Sequence, residues 1–208
     1  SDAAPRAERV GFESHVVTVD QHLSWTRIDD SLNLVRSPGL VEELRMVKDE
    51  HEIALLREAC RAADAAFAQL IERGSIRAGR TELAVARELE AAMIEHGADG
   101  ISFETIVATG SNSAVPHHRP TAAVLAHGDF VKFDFGALVG GYHSDMTRTV
   151  VIGAASDWQK DLYELVLRSQ TAGREALAPG VETASVDAAA RSVITAAGFG
   201  EFFLHGLG

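Results

Sequence analysis

The sequence predicts an α+β fold, because a helical block, a block of strands and a second helical block follow one another along 208 residues. The helical blocks repeat apolar residues every three or four positions, and the strand block is rich in β-branched and aromatic residues bounded by glycine. Hydrophobic residues make up 46% of the chain and charged residues 24%, which is typical of a globular protein with a buried core.

Residues 1–44 differ from the rest of the chain. The segment 15–19 has the composition of a strand and leads into a polar stretch, which together offer too little apolar surface for a core. We interpret residues 1–44 as the end of an N-terminal domain plus a linker. Residues 45–208 are then the first part of a second domain.

The second domain begins with two predicted helices. Apolar residues at helical spacing continue from Val47 to a predicted end near Gly74. Thr81 is a suitable N-cap for a second helix that ends at Gly97. Cys60, the only cysteine, falls on the first helix, where we expect it to be a small buried apolar residue.

Three strands and two further helices complete the prediction. The strands are expected at 103–108, 130–135 and 146–152. A capping box at Ser156 starts the next helix, and a shorter helix is predicted over 185–197. The order of helix pair, glycine and aromatic strand then begins again near the end of the chain, so we expect a repeat that is truncated at its C-terminus.

The formal charge of -11 argues against nucleic acid or an anionic membrane as a partner, since both require clustered basic residues. A single cysteine allows no intrachain disulfide, and the sequence has neither a signal peptide nor an apolar run long enough for a membrane span. We therefore expect a cytoplasmic protein.

The most informative segment is 132–149, which is predicted to form two strands joined by a glycine turn. A Val139-Gly140 loop would place Asp134 directly opposite Asp145. A Gly140-Gly141 loop would place Asp134 opposite Thr147 instead. In both registers the two carboxylates lie on one face of the hairpin, because side chains alternate along a strand.

Two carboxylates at close range repel each other, and a divalent cation between them would remove that repulsion. Mn²⁺, Co²⁺ or Zn²⁺ would need further Glu or His ligands, because one carboxylate pair cannot close a site. The alternative is that Arg148 or Lys132 neutralises the pair.

Three histidines are further candidates for a site. His117 and His118 are adjacent in a polar loop over 109–120 that is rich in glycine and proline, and His205 precedes a glycine-rich ending. The alternative is that none of them has a functional role: His117 and His118 would then be ordinary surface residues, and His205 a histidine of the core.

Three motifs follow one another along the chain: the loop with His117 and His118, the hairpin with Asp134 and Asp145, and the glycine-rich ending with His205. In this order and at this spacing they resemble the pita-bread metallopeptidases, and most of all their Xaa-Pro dipeptidase and aminopeptidase P branch. The resemblance covers about residues 45–208. It implies an incomplete pita-bread fold, with 1–44 as the tail of the N-terminal domain of that branch.

The resemblance also implies roles for single residues. Asp134 and Asp145 match metal ligands of the family, which holds two divalent ions bridged by a hydroxide that attacks the scissile carbonyl. Mn²⁺ is the expected metal, with Co²⁺ or Zn²⁺ as alternatives. His117 matches a histidine that stabilises the tetrahedral intermediate, and His205 one that lies beside the substrate. The implied substrates are proline-containing dipeptides or peptide N-termini, and the implied assembly is a homodimer.

The resemblance further predicts that the remaining ligands, one His and two Glu, lie beyond Gly208, so we expect the 208-residue chain alone to be inactive. Three alternatives remain open. They are a methionine-aminopeptidase-like exopeptidase, a metal-free amidinohydrolase related to creatinase, and a noncatalytic binding module on the same scaffold.

Overall fold

The computed structural model describes residues 9–28 and 33–207. The chain divides into two compact units, Ser1–Arg57 and Glu58–Gly208. This division does not test the predicted domain boundary after residue 44, which stays a prediction. None of the helices in the described part of the chain is long and apolar enough to cross a membrane.

Within residues 9–28 and 33–57, the first unit has two short parallel strands and two short helices. They are β1 (Val10–Phe12), α1 (Val19–Ile28), β2 (Leu34–Arg36) and α2 (Leu40–Met46). Neither α1 nor α2 has a buried residue.

The strand predicted at residues 15–19 is wrong, because residues 15–17 form a turn and α1 begins at Val19. The Thr18 hydroxyl accepts from the Gln21 N–H at 3.2 Å, and the Gln21 side chain accepts from the Thr18 N–H at 2.9 Å. This reciprocal pair is a capping box, and it starts α1 within a segment whose valines favour a strand.

The second unit contains two helix pairs and two small sheets. Its elements are α3 (Glu50–Glu72, which begins in the first unit), α4 (Glu82–Glu95), β3 (Gly100–Ile101), β4 (Ile106–Thr109), β5 (Phe130–Phe135), β6 (Ala137–Val139), β7 (Tyr142–His143), β8 (Met146–Val151), α5 (Asp157–Glu175) and α6 (Thr183–Ala196). The four helices and the strands at 130–135 and 146–151 agree with the sequence prediction. The strand predicted from residue 103 begins only at Ile106.

The capping predictions are confirmed. The Thr81 hydroxyl accepts from the Ala84 N–H at the start of α4, and Ser156 with Gln159 forms a capping box at the start of α5. Cys60 lies on α3 as expected, but it is exposed. Its neighbours Ala59 and Ala62 point into the core instead, so the prediction that Cys60 is buried is wrong.

The core lies between the first helix pair and the sheet β4–β5–β8. Along β5, Val131, Phe133 and Phe135 are buried, whereas the residues between them are half-buried. Phe67 of α3 packs edge-on against Phe133 at 5.2 Å and stacks with Phe135 at 5.5 Å between ring centroids. Since side chains alternate along a strand, Lys132 and Asp134 lie on the face of β5 opposite this aromatic core.

The second helix pair packs through small residues. The Ser169 hydroxyl of α5 donates to the Ala190 carbonyl of α6 at 2.8 Å, and a Cβ on Gly173 would come within 3.3 Å of the Ala190 Cβ. A short 3₁₀ helix at Gly200–Phe202 follows α6 and leads into the segment that carries His205.

Candidate metal centre

The hairpin between β5 and β8 turns at Gly140 and Gly141, whose φ angles are 55° and 85°. Two successive residues with positive φ make the tight turn that suits the twist of a hairpin, and glycine adopts this conformation without strain. Asp134 consequently pairs with Thr147, and Phe135 with Met146. Of the two registers open at the level of sequence, the Gly140-Gly141 register is the observed one.

Asp145 directly precedes β8. At this point the two sides of the hairpin approach each other very closely, at Gly136 and Ser144. A Cβ on Gly136 would lie only 1.8 Å from the Ser144 carbonyl oxygen, so only glycine fits here. The buried Ser144 hydroxyl accepts from the Ala137 N–H at 2.9 Å and donates to the Ala59 carbonyl at 3.1 Å. These bonds fix the hairpin, and with it Asp145, against α3.

Asp134 carries an unfavourable charge in this setting. Burial raises the pKa of its carboxyl, and the negative charge of Asp145 raises it further, against opposing effects of Thr147, Lys132 and His117. Its Oδ1 atom is buried and has no hydrogen-bond partner among residues 9–28 and 33–207. A buried carboxylate oxygen without a donor, beside a second carboxylate, is a suitable ligand atom for a hard or borderline cation.

The two basic residues that could neutralise the pair are bonded elsewhere. The Lys132 ammonium donates to the carbonyls of Val115 and Pro116 at 2.6 and 3.1 Å. Arg148 donates to the Thr147 carbonyl at 2.8 Å and lies 3.8 Å from Asp64. Lys132 still acts on Asp134 through its charge, but neither side chain forms an ion pair with the two aspartates in the described part of the chain. These contacts favour a cation over simple neutralisation.

Asp134 and Asp145 line an open cleft of about 390 Å³, together with His117 and His118. Glu104 and Arg119 form an exposed ion pair at this cleft, with 3.0 Å between Oε2 and Nε. The two adjacent histidines differ in their contacts. The Nε2 atom of His118 is hydrogen-bonded to the buried carboxylate of Glu82 at 2.8 Å. His117, in contrast, is exposed, and its electrostatic effect lowers the pKa of Asp134.

His205 lies beside His117 although 87 residues separate them in sequence. Their rings are nearly parallel, with an angle of 16° and 6.1 Å between centroids. An ion pair on α6 holds the segment that carries His205: Arg191 donates to the carbonyls of Phe203 and His205, each at 2.8 Å, and Asp187 accepts from the Leu207 N–H at 2.7 Å.

Sequence reasoning did not find Glu82, Asp187 or Arg191 as parts of this region. Asp187 and Arg191 are four residues apart on a helix, a spacing that suits an ion pair, but nothing in that spacing indicates a bond to a segment beyond the helix. Glu82 follows an N-cap, where an acidic residue is ordinary. Its hydrogen-bond partners lie in residues 109–121, and only folding brings them close to Glu82.

The first unit has two features that could compete with the hairpin cleft as a site. A cleft of about 420 Å³ is lined mainly by apolar residues and contains one carboxylate, Glu13. Glu13, His15 and Glu42 bring three ligand atoms within 4.8 Å of one another, but all three residues are exposed. Exposed acidic groups of this kind are common without an ion, so neither feature matches the hairpin cleft as a candidate site.

The chain is similar in sequence and in fold to proteins of one known family. The model of metallopeptidase family M24 matches residues 54–208. The Xaa-Pro dipeptidase of Pyrococcus furiosus is 38% identical over 169 residues, which is 81% of this chain and 48% of that protein. Two solved structures superpose closely. They are an Xaa-Pro dipeptidase from Bacillus anthracis (TM-score 0.89, 40% identity, 96% of this chain and 55% of that one) and an X-Pro aminopeptidase from Thermotoga maritima (TM-score 0.91, 35% identity, 96% and 56%).

The chain spans about half the length of the curated relatives it matches. Within that half, its helix pairs and sheets form the corresponding part of the pita-bread fold. The family match and the structural neighbours agree on the placement that the hairpin, the histidine loop and the glycine-rich ending predicted. The chain belongs to metallopeptidase family M24, and the relatives it matches include Xaa-Pro dipeptidases and an X-Pro aminopeptidase.

Proposed function

We propose that this chain supplies the first part of the active site of a metal-dependent peptidase that hydrolyses the bond between a residue and a following proline. The observation that carries the proposal is the half-buried Asp134, whose Oδ1 has no partner in the described residues and which lines an open cleft together with Asp145. The relatives named as Xaa-Pro dipeptidases supply the substrate class.

Asp134 and Asp145 would hold two divalent ions together with ligands from outside the described residues. Bound there, such ions lower the pKa of a water molecule and polarise the substrate carbonyl. No third His, Cys, Asp or Glu joins the two aspartates in a ligand cluster within the described ranges. We therefore expect residues 1–208 alone to bind metal weakly and to lack activity.

The histidines act on the substrate in this proposal. His117 lies in the cleft with both aspartates, and it donates a hydrogen bond to the substrate carbonyl oxygen as negative charge develops on it. His205, stacked beside His117, lies close enough to contact the same substrate. The bonds from α6 to residues 203–207 fix the segment from which His205 extends.

Three finer parts of the proposal rest on the family resemblance and the composition. They are Mn²⁺ as the native metal, a homodimer as the assembly and the cytoplasm as the location. Methionine-aminopeptidase-like cleavage and a noncatalytic role are the outcomes against which the substrate proposal is tested.

The test uses the complete gene product that contains this chain, with Mn²⁺ added. We expect cleavage of Xaa-Pro dipeptides or of peptides with proline in second position, and no cleavage of Xaa-Ala dipeptides. Asp145→Ala should lose at least a hundredfold in kcat/KM. Asp161→Ala, which removes an exposed carboxylate of α5 away from the cleft, should behave as the wild type.

Cleavage after an N-terminal methionine without a proline requirement would replace the Xaa-Pro assignment. A complete protein that is inert with Mn²⁺, Co²⁺ and Zn²⁺ would contradict the peptidase proposal and favour the binding module.

A further inference from the structure

Glu82 is the only buried charged side chain in the described ranges 9–28 and 33–207, and it does not line the metal cleft. Its side chain is 0% exposed, and it is the first residue of α4, directly after the N-cap Thr81. A helix N-terminus favours a negative charge. Burial of an ionised carboxylate is nevertheless costly unless hydrogen bonds replace the lost water.

Five donors surround this carboxylate. Oε1 accepts from the Thr109 N–H at 2.8 Å and from the Asn112 side-chain amide at 2.9 Å. Oε2 accepts from the Thr121 N–H at 2.9 Å, from the Thr121 hydroxyl at 2.7 Å and from Nε2 of His118 at 2.8 Å. All five donors belong to one segment, residues 109–121.

The Glu82 carboxylate is ionised at neutral pH. Burial raises its pKa, but the hydrogen bonds from Asn112, His118, Thr109 and Thr121 outweigh that effect and lower the pKa of Glu82 to about 2. Since an ionised carboxylate only accepts, Nε2 of His118 is the donor in their bond. The tautomer and the ring orientation of His118 are therefore set by Glu82.

The segment 109–121 carries His117, one residue before His118. Glu82 holds both ends of the segment, at Thr109 and Thr121. On the other side of the same segment, the Lys132 ammonium donates to two carbonyls directly before His117. His117 thus projects from a loop fixed at several points, although it is itself exposed.

We propose that Glu82 is a positioning residue, which holds the loop 109–121 so that His117 stands in the cleft with Asp134 and Asp145. Its effect on catalysis rests on the proposed function, whereas its hold on the loop does not. Displacement of a catalytic group by about 1 Å can cost on the order of a hundredfold in rate.

Glu82→Gln tests this inference, because the amide keeps the shape but turns one acceptor oxygen into a donor. Depending on which way the amide lies, either the Thr121 N–H or the Thr109 N–H then loses its acceptor. We expect amide hydrogen exchange within residues 109–121 of the metal-free complete protein to accelerate about 10- to 100-fold, as for the loss of bonds to a charged group. With Mn²⁺ and an Xaa-Pro substrate, kcat should fall about 10- to 100-fold and KM should change less than threefold.

Glu88→Gln is the matched control. Glu88 lies on the same helix, accepts from the Ser75 hydroxyl and from Arg80, and has its pKa lowered by those two bonds. Its partners lie outside the loop, so exchange within 109–121 and kcat should stay at wild-type values. Asn112→Ala removes one of the five donors and provides a milder variant that folds even if Glu82→Gln does not. It should accelerate exchange of the loop less than tenfold.

Faster exchange confined to 109–121, with unchanged Mn²⁺ affinity, supports the inference. Unchanged exchange in that loop, or equal acceleration there and in α3, overturns it. A wild-type protein without peptidase activity defeats the proposed function alone, since the exchange data still decide whether Glu82 holds the loop.

Discussion

Gly136→Ala is expected to disrupt the hairpin that carries both aspartates. The added Cβ would lie 1.8 Å from the Ser144 carbonyl oxygen, 2.7 Å from the Ser144 carbonyl carbon and 2.9 Å from the Ser102 Cβ. Carbon contacts without strain require roughly 3.5 Å. The two sides of the hairpin must therefore move apart by more than about 1 Å at Gly136.

That movement would break backbone bonds on both sides of Gly136. The Ser144 N–H donates to the Ala137 carbonyl at 2.9 Å, and the Ser102 N–H donates to the Gly136 carbonyl at 2.8 Å. Overpacking costs typically 1–3 kcal/mol, and each buried bond left unsatisfied adds about 1 kcal/mol or more. We expect Gly136→Ala to lower the free energy of unfolding by about 4 kcal/mol.

Urea denaturation of the complete protein measures this loss, and Gly100→Ala is the control in the neighbouring sheet. Its Cβ would meet only a Leu138 methyl group, at an ordinary 3.8 Å, so a change below about 0.5 kcal/mol is expected. Equal urea midpoints of unfolding for Gly136→Ala and Gly100→Ala would refute the reasoning.

Three further predictions concern the core, the pH dependence and the His205 segment. Phe133→Ala should cost about 3–5 kcal/mol in urea denaturation, because Phe133 is fully buried against Phe67. The folded pKa of Glu82, about 2, lies below its ordinary 4.5, so its stabilisation is complete above pH 4.5 and should be lost as pH falls towards 2. Between pH 5 and pH 2.5 the wild type should therefore lose about 2 kcal/mol more stability than Glu82→Gln, as measured by unfolding at the two pH values. Asp187→Asn should accelerate amide exchange at Leu207 without changing exchange in α5, because Asp187 accepts from that N–H; equal exchange at Leu207 in both proteins would exclude this contact.

Local patterns predicted much of the fold. Thr81 and Ser156 start α4 and α5, as their capping chemistry requires. Alternation along the two strands predicted that Asp134 and Asp145 share one face of the hairpin, and both line the same cleft. The sequence Val139-Gly140-Gly141 allowed two hairpin registers, and the positive φ of Gly140 and Gly141 selects one of them.

The failures have local causes as well. Valines near residue 16 favour a strand, but the reciprocal bonds of Thr18 and Gln21 start a helix. Cys60 is a small apolar residue on α3 that lies outside the buried stripe of this helix and is exposed.

The sequence could not predict the supports of the candidate site. Glu82 bonds to residues 27 to 39 positions further along, and such contacts exist only once α4 and the loop 109–121 are folded together. Burial of Glu82 could not be inferred from its position after an N-cap, where most acidic residues are solvated.

Thermal unfolding of the complete wild-type protein and of its Asp134→Asn variant, each with and without Mn²⁺, tests the claim that this hairpin binds a cation. Without metal, the variant should melt about 2–4 °C higher, because it removes a half-buried charge beside Asp145. Mn²⁺ at a hundred times its Kd should stabilise the wild type by about 2.7 kcal/mol and leave the variant unchanged. A variant that melts lower without metal and is still stabilised by Mn²⁺ would contradict the assignment of Asp134 as a metal ligand.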